Sequence, residues 1–334
     1  MLSIQDAETL IETALVAANT SRANAQSTAR ALVAAEVDGQ AGHGFSRVAS
    51  YSAQALSGKV DGHATPVARR TAPAMIHVDA ADGFAFPAVD LAIAEVAALA
   101  RETGIAAVTI ARSHHCGQLA AHVERLAELG FVAIMVANTP KAMAPWGGDT
   151  AVFGTNPIAF AAPRGTTPPL VIDLSLSHVA RGKVMAAAKA GQDIPEGWAF
   201  DAEGNATTDA TSALAGTMAP MGGAKGAALA LMVEVLAATL TGANGSRDAA
   251  SFFDGDGPAP GVGQLIIAIR ADAGLGDGFA ERMTALATAI ETQDGARLPG
   301  SSRHAEREKA ARDGLSVPPH LLEEIAAMAD KNHS

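Results

Sequence analysis

The stretch Ile105-Ala-Ala-Val-Thr-Ile-Ala-Arg-Ser-His-His-Cys-Gly117 decides the fold. It begins with a mostly apolar run, Ile105 to Ile110, which is typical of a strand buried on both faces. A short loop ends at Gly117, and residues 118–129 then have the spacing of a helix. Strand, loop and helix in this order predict an α/β domain. The Ser113–Gly117 loop would lie at the carboxyl end of a strand, where open α/β sheets bind their ligands.

The same alternation continues on both sides of this stretch. Further strands are predicted at 75–78, 132–137, 151–153, 158–162, 170–172 and 264–269, and further helices at 88–103, 226–240 and 277–293. The two ends of the chain are helical instead, with predicted helices at 3–18, 21–37, 303–313 and 319–331. We therefore expect the terminal helices to pack together around a central α/β unit.

Composition excludes several classes of protein. The 334 residues carry 24 Lys+Arg against 35 Asp+Glu, a formal charge of −11, with 49% hydrophobic and 18% charged residues. This balance is typical of a globular chain and argues against a nucleic-acid partner, which needs a basic face. Cys116 is the single cysteine, so no internal disulfide can form, and we expect a reducing, cytoplasmic location. The start lacks the pattern of a signal peptide, and no run is long enough for a membrane span.

The usual nucleotide motifs are missing. Gly261-Val-Gly263 and Gly274-Leu-Gly276 do not complete the Gly-x-Gly-x-x-Gly fingerprint of a Rossmann fold. Gly222-Gly-Ala-Lys-Gly226 lacks the spacing of a phosphate loop, but it opens a helix and carries a cation. It is either an anion site or a tight turn with a solvated lysine.

The segment Gly42-His43-Gly44-Phe-Ser-Arg47 is a candidate catalytic site. Small neighbours leave room for a substrate at His43, whose ordinary pKa of ~6.5 suits proton transfer near neutrality. Arg47 can hold a carboxylate through two parallel hydrogen bonds. The alternative is a helix-capping histidine followed by a surface arginine.

The second candidate is Ser113-His-His-Cys-Gly117. Adjacent histidines point apart and no carboxylate lies at ligand spacing, so we expect no metal. Cys116 is either a nucleophile or, more commonly for an isolated thiol, a small buried side chain. We expect His122, on an alanine-rich helix, to be solvated.

These stretches together resemble a known family. With Gly58-Lys-Val-Asp-Gly62, Ala144-Pro-Trp-Gly-Gly148, Phe153-Gly-Thr-Asn-Pro157, Ile172-Asp-Leu-Ser175 and Leu298-Pro-Gly300, they look like the malate/L-lactate dehydrogenase family that lies outside the Rossmann-type dehydrogenases. That group includes sulfolactate, ureidoglycolate and diketogulonate enzymes and the Δ1-piperideine-2-carboxylate/Δ1-pyrroline-2-carboxylate reductases. The likeness covers nearly the whole chain.

The resemblance implies an α/β, non-Rossmann fold with helical N- and C-terminal segments around a central mixed-sheet cofactor domain. Residues 75–294 would form the NAD(P)-binding domain. Residues 1–74 plus 295–334 would form the helical dimerisation and substrate region. Members of the family are usually homodimers with the active site near the subunit boundary.

The resemblance also implies roles for individual residues. The catalytic histidines fall on His43 and His115, and the substrate contacts on Arg47 and Thr155. Cofactor contacts fall on His115, Cys116, Gly117, Gln118, Leu119, Asp173, Leu174, Ser175, Arg181, Gly182, Lys225, Arg297, Pro299, Gly300, Ser301 and Arg303.

The expected reaction is hydride transfer from NAD(P)H to C2 of a small 2-oxo carboxylate, with protonated His43 as the acid. A cyclic-imine substrate such as Δ1-pyrroline-2-carboxylate is the alternative, and an inactive binding protein of the same fold is a remote one. Two positions depart from relatives: Gly42 replaces a serine, and Ser301 replaces an acidic residue. Because a carboxylate at 301 would repel a 2′-phosphate, Ser301 favours NADP(H) over NAD(H).

Overall fold

The computed structural model describes residues 1–276 and 278–330. Its helices are α1 Ile4–Ala17, α2 Arg22–Val37, α3 Val48–Ser57, α4 Ala85–Thr103, α5 Ala120–Glu128, α6 Arg181–Ala190, α7 Ala210–Ala215, α8 Ala224–Glu234, α9 Asp272–Leu275, α10 Gly278–Glu291, α11 Ser301–Asp313 and α12 Pro319–Asp330. Its strands are β1 Val67–Ala72, β2 Met75–Asp79, β3 Ile105–Ser113, β4 Phe131–Ala137, β5 Ile158–Arg164, β6 Thr167–Leu174, β7 Ala199–Phe200, β8 Ala206–Thr207, β9 Thr217–Met218 and β10 Val262–Arg270.

The centre of the fold is a seven-stranded mixed sheet in the order β1-β2-β3-β10-β4-β5-β6. Only β2 and β3 run parallel, joined through α4, and every other neighbouring pair is antiparallel. Strand β10 comes late in the chain and inserts between β3 and β4, with Gln264 opposite both Ile110 and Ala137. The α/β class and the mixed sheet predicted from the sequence are confirmed.

The terminal helices share a second core. Buried side chains of α1, α2 and α3 pack with Leu315, Val317 and Ile325 from the C-terminal end. Helix α1 begins where the sequence predicts, because the Ser3 hydroxyl accepts a hydrogen bond from the Asp6 backbone N–H at 3.0 Å. Residues 331–334, the end of the predicted helical region, lie outside the described part of the chain.

Several boundaries differ from the sequence-based predictions. The predicted strand at 151–153 is wrong: only Phe153 makes an isolated bridge, to Met143, because glycines and prolines flank so short an apolar run. The predicted helix 226–240 ends as α8 at Glu234 and continues as a π-helical turn, Val235–Thr239. Strand β1 belongs to the sheet, although its residues fall within the segment 1–74.

No helix in residues 1–276 and 278–330 combines the length and apolarity that a membrane span requires.

Arg307 of α11 fastens the C-terminal helices to the rest of the molecule. Its guanidinium donates to Asp38, at the end of α2, at 3.0 Å and to Glu124 of α5 at 2.6 Å. Both carboxylates are almost fully buried, and these hydrogen bonds raise the pKa of Arg307. One cation therefore neutralises two buried anions from different parts of the fold.

Replacing Arg307 should destabilise the protein strongly. Arg307→Ala leaves the carboxylates of Asp38 and Glu124 buried without a balancing positive charge, so we expect the free energy of unfolding to fall by about 3–5 kcal/mol. Urea unfolding followed by circular dichroism measures the change. Arg312→Ala is the matched control, because Arg312 pairs with Asp313 on the exposed side of the same helix; it should change stability by less than about 0.5 kcal/mol. Equal effects of the two substitutions would contradict this role.

Candidate active site

Two sequence-distant histidines meet at the carboxyl end of β3. His43 ends a short 3₁₀ turn, Ala41–His43, and His115 lies in the loop between β3 and α5. Their rings stack nearly parallel at 13°, with centroids 5.1 Å apart, and His43 Nδ1 lies 3.2 Å from His115 Nε2. His115 is buried, whereas His43 is half-buried. The pair predicted from two separate motifs is therefore one hydrogen-bonded unit.

The backbone before His115 is held in an unusual conformation. Arg112 has a φ of 50°, in the left-handed region that costs a non-glycine residue roughly 1–2 kcal/mol. Its guanidinium donates to both carboxylate oxygens of Asp79, at 2.9 and 3.0 Å, and to Asp82 at 3.2 Å. These bonds lower the pKa of Asp79 and keep Arg112 in this conformation, at the point where the chain leaves β3 for the histidine loop.

A tyrosine completes the line of hydrogen bonds. The hydroxyl of Tyr51, on α3, lies 2.6 Å from His115 Nδ1, and Tyr51 is fully buried. Tyr51 was not predicted as a site residue; the available signal in the sequence is that it is the sole tyrosine, eight residues after His43.

Burial and positive charge keep the histidines neutral. Desolvation, followed by the charge of Arg47, lowers the pKa of His43 to about 4. The same two causes, in the same order, lower the pKa of His115 well below its usual value. At neutral pH each ring thus carries one proton. An anion that offsets the charge of Arg47 would raise both pKa values.

Arg47 has the geometry of a candidate carboxylate clamp. Its Nε donates to the Gly42 carbonyl oxygen at 2.7 Å, and its guanidinium lies 4.7 Å from the centre of the Phe253 ring. Among the described residues its two terminal nitrogens have no hydrogen-bond partner. They form the planar pair of donors that a carboxylate accepts.

A layer of polar side chains behind the histidines was not predicted. Gln54 of α3 donates to the Phe252 carbonyl oxygen at 2.9 Å and accepts from His114 Nε2 at 3.0 Å. Buried Lys59 donates to the carbonyl and the carboxylate of Asp254, both at 3.0 Å. These bonds hold the loop 252–254 against α3 and the residues that follow it. The ring centroids of Phe252 and His115 therefore lie 5.3 Å apart, and the Phe253 ring contacts the guanidinium of Arg47.

A second cluster gathers several residues expected to bind the cofactor. The carboxylate of Asp173, at the end of β6, accepts a hydrogen bond from the Ala120 backbone N–H at 2.8 Å. Ala120 directly follows the buried residues Gln118 and Leu119. Burial raises the pKa of Asp173, and the positive charge of Arg303, in the first turn of α11, offsets part of that rise. Gln118 itself donates to Asp38.

This cluster fits a phosphate group. Arg303 is buried, yet its Nη1 has no partner among the described residues. Gly300 caps α11 with a φ of 82°, and a Cβ there would lie 2.7 Å from Arg303 Nη2. No side chain caps the helix, and its first turn contains no acidic residue. The N–H groups of Ser301 and Arg303 donate to the Leu298 and Gly300 carbonyl oxygens, so among the described residues the Ser302 N–H and the orphaned guanidinium nitrogen are the donors left for an anion.

The other predicted residues lie in three places. Thr155 donates its backbone N–H to the Thr139 hydroxyl at 2.9 Å, in the loops that join β4 to β5. Arg181 donates to the carbonyls of Lys141 and Leu214, beside the small sheet β8-β7-β9, and in the described part of the chain no hydrogen bond joins it to His43 or Asp173. The exposed members are Leu174, Gly182, Lys225, Arg297, Pro299 and Ser301, while Ser175 is half-buried and bonds to Ser177.

Two side chains near His115 are structural: Cys116, in the loop between β3 and α5, and His122, on α5. Cys116 is buried, which raises the pKa of its thiol to about 12, so it is the small buried side chain and not a nucleophile. The prediction that His122 is solvated is wrong: it packs inward from α5, with Nε2 2.8 Å from the Cys116 carbonyl oxygen. Gly117, between them, has a φ of 67° and lies against Phe86.

Within residues 1–276 and 278–330, no cluster of three or more His, Cys, Asp or Glu could hold a metal ion. A cavity of about 640 Å³ lies at the opposite end of the sheet, lined by Arg101, Phe131, Arg164 and Arg270 among others. It contains none of the predicted site residues, and Arg164 and Arg270 are paired with Glu291 and Asp272. The histidine site is therefore the better candidate for chemistry.

The fold and site define an α/β protein without a Rossmann motif, with a paired-histidine centre and an arginine beside it. The family model of malate/L-lactate dehydrogenase matches residues 2–326, and the chain belongs to this family. It is an NAD(P)-dependent oxidoreductase.

Individual relatives agree with this membership. A (2R)-3-sulfolactate dehydrogenase (NADP(+)) from Chromohalobacter salexigens is 52% identical over 329 residues, 98% of each chain. A Δ1-pyrroline-2-carboxylate/Δ1-piperideine-2-carboxylate reductase from Pseudomonas aeruginosa is 40% identical over 93% of each chain. The crystal structure of Δ1-piperideine-2-carboxylate reductase from Pseudomonas syringae matches with a TM-score of 0.92 and 37% identity, covering 98% of this chain and 99% of that one.

The buried neutral histidines predict a pH-dependent stability. Burial lowers the pKa of His114 to about 3 and that of His122 to about 4, alongside His43 and His115. The unfolded chain binds protons near pH 6.5 and the folded chain only at lower pH, so stability is complete above about 6.5 and is lost as the pH falls. Each fully buried histidine contributes up to about 1.4 kcal/mol per pH unit.

Urea unfolding between pH 7.5 and 4.5 measures this slope. His122→Gln, which keeps a donor for the Cys116 carbonyl and removes one titrating ring, should make the slope shallower. If the free energy of unfolding stays constant or increases as the pH falls from 6.5 to 5, the buried histidines are not neutral in the folded protein.

Proposed function

We propose that this protein reduces a small 2-oxo carboxylate of the sulfopyruvate type to the 2-hydroxy acid, reversibly, with NADP(H). The observation that carries the proposal is the free guanidinium edge of Arg47 beside the His43–His115 pair. A carboxylate on Arg47 brings the neighbouring C2 carbonyl oxygen toward His43. The 52% identity to a sulfolactate dehydrogenase favours the oxo acid.

Each residue of the centre has one task in this proposal. When bound, a reduced nicotinamide would supply the hydride that C2 receives. Arg47 binds and orients the substrate carboxylate, and Thr155 is proposed as a further substrate contact. Because the bound carboxylate offsets the charge of Arg47, it raises the proton affinity of His43, which then donates a proton to the oxygen on C2. His115 Nε2 is hydrogen-bonded to His43 Nδ1 and holds the His43 ring in place.

The anion cluster is proposed as the cofactor phosphate site. Gln118, Leu119, Asp173, Gly300 and Arg303 lie together there, and the absence of a carboxylate from the first turn of α11 supports a 2′-phosphate near Ser301. The remaining cofactor contacts, including Arg181, Gly182, Lys225 and Arg297, stay predictions. So do the division into residues 75–294 and the helical region 1–74 plus 295–334, the cytoplasmic location, and the absence of metal and nucleic-acid partners.

A cyclic-imine substrate is the second candidate. The reductases at 37–42% identity and the 0.92 TM-score favour it, and the same clamp would bind the carboxylate of the imine. The proton would then go to the ring nitrogen.

A substrate panel tests the proposal. Sulfopyruvate, oxaloacetate, pyruvate, Δ1-pyrroline-2-carboxylate and Δ1-piperideine-2-carboxylate are supplied with NADPH or NADH, and the loss of absorbance at the reduced nicotinamide band is followed. We expect sulfopyruvate with NADPH to give the highest kcat/KM. The highest value with an imine would select the second candidate, and inactivity throughout would favour a binding protein.

His43→Gln is the informative variant in the same assay. It should lower kcat by about 10²–10⁴-fold, because the ring that moves the proton is lost. His63→Gln, at an exposed position outside the site, is the control and should match the wild type. An unchanged rate in His43→Gln would remove His43 from the mechanism.

We also propose that the protein is a homodimer through α8 and the π-helical turn that follows it. Leu229, Leu231, Met232, Val235 and Leu240 are each 38–53% exposed there, although the opposite side of the helix is already packed with Ala230, Val233 and Ala237. A helix that is apolar on all sides requires a cover, and a second copy of the same surface provides one.

Light scattering tests this interface. The wild type should have twice the chain mass of 33.7 kDa, and Leu231→Glu combined with Val235→Glu should have the chain mass itself. Leu286→Glu, equally exposed on α10, should remain dimeric. A wild-type monomer would exclude the proposal.

A further inference from the structure

Tyr51 has a contact geometry that suits more than packing. Its hydroxyl has two neighbours, both on His115: ring Nδ1 at 2.6 Å and the backbone carbonyl oxygen at 3.5 Å. A phenol hydroxyl can donate one hydrogen bond and accept others. Burial raises the pKa of Tyr51, so the hydroxyl keeps its own proton throughout.

In the neutral pair the hydrogen bonds have one direction. A phenol O–H is a stronger hydrogen-bond donor than a neutral imidazole N–H, and an imidazole nitrogen is a stronger acceptor than a phenol oxygen, so we assign Tyr51 as the donor to His115 Nδ1 across the 2.6 Å contact. His115 then carries its proton on Nε2 and donates to His43 Nδ1 at 3.2 Å. His43 is left with its proton on Nε2, the nitrogen for which the described residues provide no partner.

In the protonated pair the direction must reverse. When His43 carries protons on both nitrogens, its Nδ1–H donates to His115 Nε2, and the proton of His115 lies on Nδ1. That N–H needs an acceptor in a buried site, and the Tyr51 oxygen is the one within reach. Tyr51 then turns its own hydrogen toward the His115 carbonyl oxygen. The pair has gained one proton in total, and Tyr51 has neither gained nor lost one.

We propose that Tyr51 is a positioning residue whose hydroxyl donates to His115 in the neutral pair and accepts from it in the protonated pair. This inference rests on the proposed reduction, in which His43 must become protonated to act as the acid. A phenylalanine would fill the same space but would leave the His115 N–H unpaired in the protonated state, which is the state that reacts.

The surroundings of the pair leave this task to Tyr51. The titratable groups of neighbouring elements that face it are Arg47, His114 and, behind His114, Lys59 with its partner Asp254. Cys116 lies beside Tyr51, and Glu36 accepts from the Phe45 backbone near His43. Among the described residues, His115 Nδ1 has no hydrogen-bond partner other than the Tyr51 hydroxyl.

The pH dependence of Tyr51→Phe is the first test. We expect kcat for reduction at pH 7.5 to fall about 10- to 100-fold. Because the protonated pair is disfavoured, the fall in kcat with rising pH should move to lower pH by about one unit or more. KM for the carboxylate substrate should change by less than about 3-fold, since Arg47 is untouched. A merely structural role would lower kcat equally at every pH.

Ser52→Ala is the matched control. Ser52 is the next residue on α3, and its buried hydroxyl has no partner within the described part of the chain. Removing that hydroxyl should leave both kcat and its pH profile unchanged. If Tyr51→Phe behaves like Ser52→Ala, or if its pH profile does not move, the inference is overturned.

A spectroscopic test on the wild-type enzyme is independent of activity. Nitrogen-15 NMR of labelled histidine at pH 7.5 should find His115 with its proton on Nε2 and Nδ1 as a hydrogen-bonded acceptor. A proton on Nδ1 in the free enzyme would overturn the inference, even if Tyr51→Phe does not fold. If no compound of the panel is reduced, the proposed function fails, and this measurement still decides the arrangement of Tyr51.

Discussion

The hydrogen bond between Tyr51 and His115 joins the two parts of the molecule on which the site depends. Tyr51 belongs to the helical core built from both ends of the chain, and His115 to the loop that leaves the central sheet. Neither part alone would place His43 against His115. The centre therefore forms only when the helical core docks on the sheet, and Arg307 fixes that docking elsewhere by neutralising Asp38 and Glu124.

The chain as a whole carries a net negative charge, whereas the candidate site carries local positive charge. The formal charge of −11 repels small anions at long range, yet at two separate positions the terminal nitrogens of Arg47 and Nη1 of Arg303 have no hydrogen-bond partner in the part of the chain that the structure describes. Burial strengthens these local charges because little water screens them. Burial, followed by the positive charge of Arg47, lowers the pKa of His43. In the proposed reaction one side chain would therefore couple substrate recognition to the proton affinity of His43.

The site residues that could be singled out from the sequence are those that lie in short, recognisable motifs. His43, Arg47 and His115 stand in glycine-flanked segments. The alternation of strands and helices correctly indicated an α/β domain, whereas the mixed sheet was implied by the resemblance to the family. Tyr51, Gln54 and Phe252 carry no such local mark. Gln54 meets Phe252 across 198 residues of chain, so their contact exists only in the folded state. His122 was wrongly expected in solvent because, among many alanines, the spacing did not show which side of α5 faces the core.

The hydrogen bonds that hold the loop 252–254 in place do not involve the Phe253 side chain, which forms the contact surface of the loop. Gln54 and Lys59 fasten it chiefly through the carbonyl oxygens of Phe252 and Asp254, and the Phe253 side chain takes no part in the fastening. Phe253 nevertheless forms the wall on which the Arg47 guanidinium lies. Evolution can therefore exchange the residue at 253, and with it the shape presented beside the carboxylate clamp, without rebuilding the histidine pair. A family with one centre and several substrates is the expected outcome of such a loop.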